Sequence, residues 1–67
     1  DVINIGVEGK NIVSFSSTKD LNVEIYSING LIIKQIHLNA NELSNIFLPS
    51  GMYIIRWPGH FHKIGIQ

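Results

Sequence analysis

The sequence contains no cysteine, so neither a disulfide framework nor a thiolate metal site can hold the fold together. Secreted proteins need not carry disulfides, and the compartment is left open by this absence. Excess charge is also lacking. Five basic residues (Lys10, Lys19, Lys34, Arg56, Lys63) balance five acidic ones (Asp1, Glu8, Asp20, Glu24, Glu42), and no run of like charge forms. A nucleic-acid partner, which needs a basic patch, is therefore not expected. Apolar runs are short, as in Leu31-Ile32-Ile33, far below the ~20 residues that span a bilayer as a helix. The chain reads as not membrane-spanning, and it holds no signal-peptide core. A phosphate-cradling loop, a dinucleotide-binding glycine motif, a glycosylation acceptor and a lipidation motif are all missing. So is a sustained 3.6-residue period; residues 40–43 (ANEL) offer one helical turn at most.

What is present is a regular succession of short segments with strand character. At 67 residues the chain lies near the size below which one hydrophobic core struggles to support a fold unaided. A neighbouring domain or partner is expected to help. Breakers recur at residues 8–10 (EGK), 17–20 (STKD), 29–30 (NG), 39–42 (NANE), 49–51 (PSG) and 58–60 (PGH). They cut the chain into seven segments rich in Val, Ile, Phe, Tyr and Thr, and turn signals at this spacing are the pattern of an all-β sandwich or barrel.

Alternation along each segment assigns an inward face. It selects Ile3, Ile5 and Val7; then Val13 and Phe15; then Leu21, Val23 and Ile25. Ile46 and Leu48 follow, then Tyr53, Ile55 and Trp57, then Ile64 and Ile66. The fourth segment conflicts with itself, because Leu31 and Ile33 compete with Ile32, Ile36 and Leu38 for the inside. One bulge would reconcile them by shifting the phase once. Asn29-Gly30 predicts a hairpin through a type I′ turn, with a bend at Ser27-Ile28 lengthening the loop. Pro58-Gly59 predicts the turn between the last two strands, ending the sixth at Trp57 because proline cannot donate a ladder bond.

No constellation points to catalysis, and the chain is expected not to be an enzyme. Six serines, one threonine, three histidines and two aspartates supply raw material, but no motif places a nucleophile beside a base. Ser50 lacks the preceding glycine of a nucleophile elbow and reads as a turn residue. His60 and His62 share one face of a strand, as two metal ligands must, yet no third ligand is placed with them; solvent-facing residues on an edge is the better reading. No metal or cofactor is expected. Trp57 shares its phase with Tyr53 and Ile55, so a core role is favoured over a sugar-stacking platform. Lys63 reads as a charge that discourages edge aggregation.

Taken together, residues 23–35 (VEIYSINGLIIKQ), 48–57 (LPSGMYIIRW) and 63–67 (KIGIQ) resemble the C-terminal sorting domains of the type IX secretion system of Gram-negative bacteria. Tyr26, Gly30, Ile33, Leu48, Gly51, Tyr53, Ile55, Lys63, Ile64 and Ile66 occupy the positions that carry the likeness. Among them Gly30, Leu48, Gly51, Tyr53 and Ile55 are expected to be determinants of the fold. The resemblance implies an immunoglobulin-like antiparallel β-sandwich of about seven short strands. It also implies that residues 1–67 form one sorting domain at the C-terminal end of a larger exported protein. The function so implied is a non-catalytic signal that directs an attached cargo across the outer membrane. Partners would be the secretion machinery, comprising an outer-membrane shuttle and a sortase-like protease, and the N-terminal cargo domains of the same chain. The location would be the cell surface or beyond, reached through the periplasm. Residues 60–67 would offer an exposed edge for strand addition, with Lys63, Ile64, Gly65, Ile66 and Gln67 as candidate recognition residues. An adhesion or carbohydrate-binding sandwich of a larger secreted protein is the alternative.

Overall fold

The computed structural model describes residues 3–67. Its strands are β1 (Ile3–Glu8), β2 (Ile12–Ser17), β3 (Leu21–Ser27), β4 (Ile32–Leu38), β5 (Leu43–Phe47), β6 (Gly51–Trp57) and β7 (His60–Ile66). No helix occurs among the described residues, and ANEL is a turn leading into β5. Asn41 at its centre takes φ 62, the left-handed conformation that asparagine tolerates and that cannot propagate a helix. A three-stranded sheet in the order β1-β2-β5 faces a four-stranded sheet in the order β4-β3-β6-β7. Every pairing is antiparallel. The chain crosses between sheets after β2, β4 and β5, as in an immunoglobulin-like sandwich.

The core lies where the inward faces of the central strands meet. Val13 and Phe15 of β2 oppose Val23 and Ile25 of β3 and Ile55 of β6, all fully buried. Leu38, Leu48, Tyr53, Ile66 and Ile3 close around them. All but Leu38, which lies in the ambiguous fourth segment, are residues the alternation selects. Val7 keeps its phase opposite Val13 but is 51% exposed, because it lies on an outer strand beside the β1–β2 turn.

The fourth strand resolves by a register shift. Ile25 pairs with Lys34 while Tyr26 pairs with Ile32, so Ile33 is the extra residue and the phase slips once there. Leu38 and Ile36 take the inside. Leu31, Ile32 and Ile33 all stay exposed, since β4 is an outer strand and the opposing sheet, one strand narrower, leaves this end uncovered.

The type I′ turn expected at Asn29-Gly30 is not formed. Only Gly30 has positive φ, at 89, with open space around it. The Gly30 N–H donates to the Ser27 carbonyl at 3.0 Å, and the Ser27 N–H donates to the Leu31 carbonyl at 2.8 Å. This is a three-residue loop closed by one left-handed glycine. Ser27 makes it favourable, because its hydroxyl accepts the Leu31 N–H at 3.2 Å and also bonds the Asn29 side-chain oxygen.

Small domains have roughly 3–10 kcal/mol of stability at this length, so one core truncation is decisive. Phe15→Ala should cost about 3–5 kcal/mol and leave much of the chain unfolded in buffer. Leu31→Ser, at an exposed position, should change stability by less than ~0.5 kcal/mol. Urea denaturation followed by circular dichroism compares the two; equal midpoints would show that the core has been misplaced.

Candidate functional site

The geometry that positions the candidate residues begins where the chain leaves β5. Leu48 turns between the sheets and is 1% exposed. Its backbone is clamped on both sides by Asn11 in the β1–β2 turn. The Leu48 N–H donates to the Asn11 carbonyl at 2.9 Å, and the Asn11 side-chain amide donates to the Leu48 carbonyl at 2.9 Å. Asn11 holds φ 65 and is itself buried. The sequence reading missed this residue. The available signal was an asparagine closing a Gly-Lys-Asn turn, a place where that residue type tolerates left-handed backbone.

Pro49 and Ser50 then bend the chain, and Gly51 opens β6 at φ 153. The Tyr53 ring lies 3.6–3.7 Å from the point where a Cβ on Gly51 would stand. Its hydroxyl donates to the Pro49 carbonyl at 2.6 Å. A tyrosine near the start of a strand, bonded back to backbone a few residues upstream, is the tyrosine corner of immunoglobulin-like sandwiches. Leu48, Gly51 and Tyr53 are thus one local device, with fully buried Ile55 continuing the inward face. Gly30 lies apart from it, at the β3–β4 tip.

From the corner, phase is passed to the last strand. Gly51 pairs with Ile66, Tyr53 with Ile64, Ile55 with His62 and Trp57 with His60. The two residues between Trp57 and His60 are Pro58 and Gly59, the latter at φ 80, which is the residue order of a type II turn. A two-residue turn starts from a hydrogen-bonded pair, and bonded pairs then alternate along an antiparallel ladder. His60, His62, Ile64 and Ile66 therefore bond to β6, while Phe61, Lys63 and Gly65 turn their N–H and C=O groups away from it. β7 is the last strand of its sheet, so those three residues face an edge that no other described strand pairs with.

The five candidate recognition residues divide accordingly. Ile66 is 4% exposed and Ile64 packs against the core, so both anchor the strand. Lys63, Gly65 and Gln67 are exposed. The side chains of Lys63 and Phe61 lie on the outer face, opposite Ile54 and Arg56. Phe61 is 77% exposed. Arg56 stands 3.9 Å from Glu24, whose carboxylate also accepts the Tyr26 hydroxyl at 2.9 Å. Lys63 has no such partner among the described residues.

The other candidates fall elsewhere. His60 and His62 are exposed on the inner face, at the open end of the sandwich. The His60 ring stacks on Trp57 with centroids 5.7 Å apart. His62 lines a shallow hollow with Ile3, Asn4, Ile5 and Trp57. His37 lies on the outer face, its Nδ1 2.8 Å from the Asn22 side-chain oxygen, so the three imidazoles do not converge. No metal-competent group of three ligands occurs among the described residues. Trp57 is half-buried, packed against the core from the inner face. Ser50 is an exposed bend residue.

A family model described as a secretion system C-terminal sorting domain matches residues 2–64. The match runs from before β1 to Ile64 and takes in the corner and most of β7. No curated protein and no solved structure matches the chain.

Two substitutions test the corner. Gly51→Ala forces a side chain into backbone that L residues rarely adopt and should cost about 1–3 kcal/mol. Tyr53→Phe keeps the packing but removes the bond to Pro49 and should cost about 1 kcal/mol. Chemical denaturation reads both. An unchanged midpoint for Gly51→Ala would remove the glycine from the list of fold determinants.

Proposed function

The chain belongs to the secretion system C-terminal sorting domain family, and on that premise we propose that it is the folded export label of a larger protein. The family is one of sorting signals rather than of catalysts. The label directs the cargo attached upstream of it through the type IX secretion machinery, across the outer membrane and to the cell surface or the medium. The single observation that carries this reading is the family match over residues 2–64. No helix of the described residues is long and apolar enough to cross a membrane.

The part offered to the machinery is the free edge of β7. An address shared by many cargoes needs features that do not depend on one protein's side chains, and an unpaired strand supplies backbone donors and acceptors in a fixed row. The corner and the Pro58-Gly59 turn hold that row in register. Lys63, Gly65 and Gln67 line it, while Ile64 and Ile66 fasten it to the core.

The test must separate recognition from folding. Deleting residues 63–67 would strip Ile64 and Ile66 from the core and unfold the label. Lys63→Pro instead removes one outward N–H at a position where an edge strand tolerates proline. Fused behind an exported reporter in a host with the type IX system, the parent label should deliver the reporter to the surface or medium. The Lys63→Pro label should stay folded and leave the reporter in the periplasm. Normal delivery by a folded Lys63→Pro label would sink the edge reading, and failure of the parent label would sink the sorting function itself.

A further inference from the structure

β7 carries one formal charge, on Lys63, and among the described residues that charge has no ion-pair partner. Directly opposite it on β6 is Ile54, which offers no countercharge. Glu24 is the acid on this face of the sheet, and it is engaged by Tyr26 and Arg56. An added strand would place one residue opposite Lys63, with Cβ atoms about 4.5–5.5 Å apart. At that separation a like charge repels and an opposite charge attracts. Gly65, two residues on, presents no side chain on the outer face, and beside Phe61 the exposed ring gives the added strand apolar surface to cover.

We infer that the partner segment accepted by β7 is an extended strand bearing an acidic residue opposite Lys63, on the outer face of the sheet. The inference rests on β7 being the recognised edge. A second copy of the same chain does not fit. Pairing all three outward residues of two β7 strands with each other sets Lys63 directly against the other copy's Lys63, a destabilising like-charge pair.

Charge and edge can be separated at one position, because the Lys63 side chain is exposed and its substitution removes nothing from the core. In the reporter assay, Lys63→Arg should be delivered like the parent, Lys63→Gln less well, and Lys63→Glu about tenfold less, with unfolding midpoints unchanged. Suppressors of Lys63→Glu selected in the same host should replace an acidic residue in a component of the machinery by a basic or neutral one. If Lys63→Glu is delivered normally while Lys63→Pro is retained, the acidic partner is overturned and the edge reading stands. If both are delivered normally, the edge reading falls and takes the inference with it. Retention of Lys63→Arg would show that positive charge is not what is read. A dimer of the purified protein that Lys63→Pro dissociates would assign the edge to a second copy and overturn the proposal.

Discussion

The bond from the Tyr53 hydroxyl to the Pro49 carbonyl, 2.6 Å long, fixes the point on which the placement of β6 and β7 depends. Between Phe47 and Gly51 the chain must leave one sheet and enter the other, and a slip of one residue there would turn every later side chain to the wrong face. Tyr53 ties the new strand to the bend that precedes it. Asn11 ties the bend to the first hairpin by gripping both polar groups of Leu48. Once Tyr53 and Ile55 point inward, a two-residue turn leaves β7 no freedom. Ile64 and Ile66 must enter the core, and Phe61, Lys63 and Gly65 must face outward. The register of the β7 edge is thus set more than ten residues upstream of itself.

This dependence explains how so small a fold holds one edge in a fixed register. By strict alternation β7 sends Ile64 and Ile66 into the core while Phe61, Lys63 and Gly65 face outward. Its backbone edge is identical in kind to that of any other strand, and its outer face carries a single unpaired cation. The other outer strand of the same sheet, β4, is a poorer template. Its register shift at Ile33 interrupts the row of backbone groups, a feature that discourages edge pairing.

Much of this was legible in the sequence, because local chemistry decided it. Breakers marked the strands, alternation picked Val13, Phe15, Val23, Ile25 and Ile55 for the core, and the conflict within Leu31–Leu38 suggested the one bulge that β4 contains as a register shift. Pro58-Gly59 gave the final turn. What local chemistry does not decide was harder to read. Strand order depends on which faces meet in three dimensions, so the partition into three and four strands had no local signal. The exposure of Leu31, Ile32 and Ile33 follows from the narrower opposing sheet, which hydrophobicity alone cannot report. The Asn29-Gly30 turn took a different form because Ser27 caps the loop and relieves Asn29 of positive φ. Asn11 was overlooked for a similar reason: its partner Leu48 is 37 residues away.

Residue-resolved hydrogen exchange along β7, in the free protein and in its complex with solubilised secretion machinery, tests the central claim most directly. A free edge read by strand addition requires fast exchange at Phe61, Lys63 and Gly65 in the free protein and strong protection of those three amides in the complex. His62, Ile64 and Ile66 should be protected in both. A bound domain whose Phe61, Lys63 and Gly65 amides still exchange freely would contradict it.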